Sequence, residues 1–177
     1  MIGDQLVINF QNLFASELNF TCALGNSAVI AVITTVFALL FSSMAGYGFE
    51  IYRTKTKDRI FNILLLSMMV PFAALMIPLY RMFSQLSGTP IGINTFAVVI
   101  LPSVCTAFLI FFFRQNIKAF PKELVEAARI DGLNELSIFF RVYMPTAKNT
   151  YAAAAIITFM NSWNNYLWTI SCLAITG

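Results

Sequence analysis

The chain has 177 residues, of which 59% are hydrophobic and 11% charged, with a formal net charge of +3 and no histidine. Soluble globular domains carry about a quarter of their residues as charges, so this composition and the mean hydropathy of +0.77 point to an integral membrane protein. The lack of histidine removes the commonest general base and metal ligand at neutral pH, Cys22, Cys105 and Cys172 outline neither a disulfide framework nor a metal site, and the basic residues sit in particular loops, which argues against nucleic acid.

Residues 1–20 contain Asp4 and Glu17 but no lysine or arginine, and read as a short exposed segment, not a targeting peptide. Residues 24–49 then form an apolar run that exceeds the roughly 20 residues needed to cross a bilayer. Within it Ser42 and Gly46 make a small-xxx-small pair suited to a close neighbouring helix. Arg53, Lys55, Lys57 and Arg59 follow, and so basic a short loop belongs in the cytoplasm. A second span over residues 60–82 holds Pro71 and Pro78, each lacking a backbone donor, so it is expected to be kinked or interrupted. Residues 83–94 carry turn formers and suit an extracytoplasmic loop. A third span at 96–113 is expected to bend at Pro102.

Residues 114–150 return the chain to the basic side and hold its most polar stretch. Pro121 fits the first turn of a helix and Gly132 the left-handed position beyond a helix end, which predicts a helix over 121–130. Leu124, Ala127 and Ala128 share one face of it at i, i+3, i+4 spacing, open to a partner, with Glu126 beside them. Glu126 can also pair with Arg129 at i, i+3. Asn134 can cap a second helix that runs through Phe139 and Arg141 until Pro145 forbids the next bond.

Glu126-Ala127-Ala128, three residues, Gly132, nine residues, then Val142, Met144 and Pro145 resembles the EAA loop of ABC importer permeases, with Val142 and Met144 in place of the usual Ile and Leu. The runs NSAVIAVITTVFALLFSSMAGYGF and WNNYLW, and the Pro71 and Pro78 pair, are similar to the carbohydrate-importer branch of that family. The resemblance implies an all-α membrane bundle with a helix-turn-helix coupling loop. It implies six spans, of which one would precede the Asn26 region and another would follow Trp168, so the stretch in hand reads as an internal piece whose independent function is in question. It further implies two ABC ATPase subunits, which bind the ATP and Mg, a second permease subunit and an extracytoplasmic substrate-binding protein, in a bacterial inner membrane crossed several times. Glu123, Glu126, Ala127, Ala128, Asp131, Gly132 and Pro145 would then face or shape the ATPase contact. The sequence has no GxxxxGK[ST] loop, so ATP must be bound by a separate subunit.

The fourth span, 151–173, carries Asn161, Asn164, Asn165 and Trp168 at i, i+3, i+4, i+7, with Trp163 alongside. Unpaired amides are costly in hydrocarbon, so this stripe should face protein or a water-filled path. Amides and aromatic rings suit sugar hydroxyls and C–H faces; alternatively the asparagines join helices and the tryptophans belong to the interfacial belt. The whole chain, 1–177, reads as one transmembrane domain and not an enzyme. An ATP-independent channel or secondary transporter is the competing reading, disfavoured by the want of a clear acidic relay in the spans, and a permease remnant without activity is a third.

Overall fold

The computed structural model describes residues 20–173, together with Gln5, and the expectation of an exposed leading segment otherwise lies outside these residues. All regular elements among the described residues are helical: α1 (Phe20–Ile51), α2 (Lys55–Ser67), α3 (Phe72–Gln85), α4 (Phe96–Val104), α5 (Ala107–Lys118), α6 (Lys122–Ile130), α7 (Glu135–Ile138), a π-helical turn (Phe139–Tyr143), α8 (Met144–Thr146), α9 (Lys148–Trp163) and α10 (Tyr166–Cys172).

The 32-residue α1 is the hub, packed against α4, α5 and α9. Its buried side includes Ala31, Thr34, Ala38, Ser42, Gly46 and Glu50, a ladder of mostly small residues at i, i+3, i+4 spacing. Lipid is as apolar as leucine, so helices in a membrane gain from close backbone approach more than from hydrophobic burial. The approach is closest at Gly46, where a Cβ would lie 2.9 Å from the Phe113 Cβ and 3.0 Å from the Arg114 nitrogen. Gly46 therefore seats α5, and Ser42, one turn earlier, is fully buried.

Proline and hydrogen-bond accounting decide where the other spans break. α1 and the region Phe96–Lys118 are each long and apolar enough to cross a membrane, whereas α2 and α3 qualify only as a pair bent by 99°. The interruption expected in residues 60–82 falls at Pro71, which begins α3 from an extended conformation, while Pro78 is carried inside the helix. The residue before a proline is driven out of the α region, which stops α2. In the third span the break comes after Pro102 and not at it: α4 runs on to Val104, and Thr106 caps α5 by accepting from the Leu109 N–H. Pro102 has no N–H to return to the Val98 carbonyl four residues back. The Trp168 indole N–H donates to that carbonyl instead, at 3.0 Å, so the helix survives its proline.

The expected fourth span is not one helix. α9 ends at Trp163 and α10 begins at Tyr166, with Asn164 and Asn165 between them. Irregular backbone at membrane depth persists only where protein or a wet cavity meets its polar groups.

Two cores fill the bundle. One joins Ala38 and Tyr47 of α1 to Leu109, Phe113 and Ile117 of α5, Phe139, Tyr143 and Ala154. The other, towards the opposite end of α1, joins Ile30, Phe83, Val98, Val99, Trp168 and Cys172.

Candidate functional site

The polar loop folds as a helix-turn-helix. Pro121 precedes α6 in an extended conformation, and Gly132 takes φ +79° beyond its end. The Leu133 N–H donates to the Ala128 carbonyl and the Gly132 N–H to that of Arg129, the bond pair of a Schellman motif. The Asn134 side chain accepts from the Ser137 N–H at 2.8 Å and so caps α7. Helical structure does not stop at Pro145 as the sequence suggests. The turn widens to π geometry over Phe139–Tyr143, Met144 N–H donates to the Phe139 carbonyl five residues back, and Pro145 sits in the first turn of α8, where its missing donor costs little.

Tertiary contacts correct the expected place of Ala128 on α6. Val125 and Ala128 are buried and pack with Ile138, Ile51, Phe120, Leu133 and Val142, so Ala128 belongs to the loop's own core. Glu123, Leu124, Glu126, Ala127 and Ile130 form the outward face, with Ile130 87% exposed. Asp131 ends the helix, and Asp131, Gly132 and Pro145 are all exposed. Glu126 does not pair with Arg129. Arg129 Nε donates to Glu135 Oε1 at 2.7 Å across the turn and lies over the Tyr52 ring, and no described cation is within ion-pair distance of Glu126. The Arg129 hydrogen bond holds the Glu135 carboxyl below its ordinary pKa, so this clasp is intact at neutral pH.

A charge cluster that sequence reasoning missed ties this loop to the bundle. Arg114, assigned to the basic loop from sequence, is only 4% exposed: its Nε donates to Glu50 Oε2 at 3.1 Å and its Nη2 to Asp58 Oδ1. The guanidinium also stacks 4.1 Å above the Phe61 ring, and Lys122 at the start of α6 reaches Glu50 at 3.8 Å. Four elements, α1, α2, α5 and α6, thus meet at one carboxylate–guanidinium node. The Arg114 hydrogen bond, and then that of Arg53, hold the Asp58 carboxyl below the usual range. The signal in the sequence was a single glutamate closing a long apolar run. Beside the node, edge-on and tilted rings of Tyr47, Phe120, Phe139 and Tyr143, with centroids 5.4–5.7 Å apart, fasten the π turn to α1.

The polar stripe expected in the fourth span divides at the helix break. Trp168 is fully buried and bonded to Val98, in the core. Asn164 donates back to the Met160 carbonyl and ties down the end of α9. Trp163 stacks on Phe159. Asn161 and Asn165, by contrast, line a cavity of about 490 Å³ together with Thr34, Ser103, Thr158 and Ser162. Phe72 and Phe108 supply part of its apolar wall. Ser162 and Asn165 also border a second cavity of about 390 Å³, lined by Asn26, Ser27, Trp163 and Tyr166.

The described residues thus form an all-helical bundle with broken, apolar helices, a cavity at the break and a polar helix-turn-helix loop with an exposed face. Over residues 38–177 the sequence matches the family of binding-protein-dependent transport system inner membrane components, and the chain belongs to that family. It is 47% identical over 171 residues to the lactose transport system permease protein LacG of Rhizobium radiobacter, covering 97% of this chain and 61% of LacG. It is 40% identical over 165 residues to the arabinooligosaccharides transport system permease protein AraQ of Halalkalibacterium halodurans, covering 93% of this chain and 58% of AraQ. The fold is that of an ABC importer permease: a bacterial ABC transporter involved in the import of the acidic polysaccharide alginate superposes with a TM-score of 0.75 at 24% identity, over 93% of this chain and 56% of that one.

Proposed function

We propose that the chain acts, as one transmembrane domain, in an ATP-driven saccharide importer of the bacterial inner membrane, and that α6 is its coupling helix. The observation that carries this reading is the geometry of the loop. α6 turns Glu123, Glu126 and Ala127 outward, and its inner face is clamped to α1, α2 and α5 through Val125, Ala128 and the Lys122–Glu50–Arg114 node. A helix laid in a groove of an ATPase subunit would pass a rigid-body displacement to the bundle without bending at its own root. The expected partners are two ATPase subunits, which hold ATP and Mg, a second permease subunit, an extracytoplasmic binding protein and the lipid bilayer. The names of LacG and AraQ support a saccharide cargo.

Reconstituted vesicles test the reading. Radiolabelled lactose should accumulate only when the chain is co-expressed with ATPase and permease partners and ATP is supplied, and any flanking segments required can be added in trans. ATP-independent uptake by the chain alone would refute the proposal and favour a secondary carrier.

The membrane orientation follows from charge. The loops holding Arg53 to Arg59 and Arg114 to Lys148 belong in the cytoplasm, and Gly92 outside, because short basic loops are retained there. Cys22 and Cys105 are exposed and must first be replaced. In intact cells Gly92→Cys should then react with an impermeant maleimide and Thr56→Cys should not; the reverse pattern would invert the topology.

A further inference from the structure

The geometry points to a binding surface for one anionic phospholipid of the cytoplasmic leaflet on the face of α2 turned away from the bundle, with the phosphate between Lys55 and Arg59 and an acyl chain along Ile63 and Leu66. The inference rests on the cytoplasmic placing of residues 53–59 and is independent of the cargo.

The structure sorts the four cations of that basic stretch into two pairs. Arg53 Nε donates to Asp58 Oδ2 at 3.0 Å, and Lys57 Nζ donates to the Gly48 carbonyl at 3.2 Å and lies 5.0 Å from the centre of the Tyr52 ring. Lys55 and Arg59 are exposed, and among the described residues no carboxylate is within ion-pair distance of either. Residues four apart are neighbours on a helix surface, so the two free cations stand about 6 Å apart along the axis. One phosphate between them would meet both. Asp58 is the only acidic residue of α2, and it is half-buried and already taken by Arg53 and by Arg114 Nη2. It therefore leaves the outer face open to an anion.

The apolar half continues the same stripe. Lys55, Arg59, Ile63 and Leu66 follow at i, i+4, i+8, i+11, along one side of the helix. Ile63 is 67% exposed and Leu66 62%, whereas Phe61 is the buried residue of α2, stacked on Phe111 and beneath the Arg114 guanidinium. The chain enters the membrane in this direction, so the cations lie at headgroup level and the aliphatic side chains deeper. From Arg59 to Leu66 is about 10 Å of helix, within the roughly 15 Å of hydrocarbon that one leaflet contributes. The helix then ends at Ser67 and the path bends by 99° into α3, so the stripe stays within that leaflet.

An apolar helix fits this face poorly, because it would bury Lys55 and Arg59 without a counter-charge. A phospholipid supplies the counter-charge and the hydrocarbon in the order in which α2 presents their partners.

The test uses the assembled transporter in detergent and measures retention of radiolabelled phosphatidylglycerol as lipid is titrated, with phosphatidylethanolamine as the zwitterionic control. The wild-type complex should prefer phosphatidylglycerol. Lys55→Gln and Arg59→Gln should each weaken its retention about fivefold, whereas Lys148→Gln, at an exposed cation of the other basic loop, should leave it unchanged. Ile63→Ser combined with Leu66→Ser should weaken it with both cations in place. Soluble glycerol phosphate should not displace the lipid at concentrations where unlabelled phosphatidylglycerol does. Equal retention of the two lipids, unchanged retention in both cation variants, or an equal loss in Lys148→Gln would overturn the site, the last by showing a diffuse field of charge. Displacement by glycerol phosphate would overturn it in favour of a free-anion site, and loss of the second permease from the Arg59→Gln complex in favour of a subunit contact. Reaction of Thr56→Cys with impermeant maleimide in intact cells would remove the leaflet assignment. Lactose uptake reports on the importer reading separately, so the two can fail independently.

Discussion

Glu126→Lys and Gly132→Pro are each expected to abolish ATP-driven uptake while membrane insertion and chain abundance stay normal. Gly132 holds φ +79° with open space around it, so the constraint is backbone conformation and not crowding. Proline cannot reach positive φ, and it also deletes the N–H that Gly132 donates to the Arg129 carbonyl. Both Schellman bonds would be lost and the outward face of α6 re-aimed. Gly132→Ala, which adds only the left-handed cost of roughly 1–2 kcal/mol, should be intermediate. Glu126→Lys should leave the fold alone, because Glu126 is exposed and forms no ion pair among the described residues, but it reverses charge on the face proposed to meet the ATPase. Co-purification of the ATPase and lactose uptake are the measurements. Normal values in both variants would reduce the loop to a connector.

Arg114→Met is the second large effect expected, and it acts on stability. It would leave the Glu50 carboxylate, whose side chain is 4% exposed, facing only Lys122 at 3.8 Å. Removing one partner of a buried pair costs about 3–5 kcal/mol, whereas replacing both by apolar groups is often neutral. The single variant should therefore lower the melting midpoint of the detergent-solubilised complex by many degrees, and Glu50→Met with Arg114→Met should recover most of the loss. If the single and double variants melt together, the node is not a buried pair. The Asp58 arm adds a pH signature. With its folded pKa depressed, its contribution is present above the ordinary carboxylate range and is lost only as pH falls through the lower folded value. At neutral pH the Asp58 arm should be insensitive to small pH changes.

Much of the loop was legible in sequence because its signals are local. The left-handed Gly132 and the Asn134 cap each depend on partners within five residues, and the structure places them as the sequence implies. Pro121, expected in the first turn, stands one residue earlier as the extended N-cap of α6, and of the two prolines expected to interrupt residues 60–82 it is Pro71 that does so. Composition and the apolar runs likewise sufficed for an all-helical membrane chain.

What lay beyond the sequence depends on which helices meet. Arg114 and Glu50 are 64 residues apart and Trp168 and Val98 are 70 apart, so neither the buried node nor the rescue of the Pro102 gap leaves a local trace. Ala128 was assigned to the partner-facing side of α6 because i, i+4 spacing groups it with Leu124, and only the positions of Ile138 and Ile51 turn it inward beside Val125. In α9 and α10 a continuous 3.6-residue period gave the asparagines and Trp168 one face, but the chain breaks between them and sends Trp168 into the core and Asn161 to a cavity. Sequence by itself therefore determined the class of protein, its helical punctuation and its polar loop, through composition and contacts within a turn or two. Tertiary structure alone decided which charges and amides are buried, since a helix apolar on nearly every side carries no phase that tells inside from outside until its neighbours arrive.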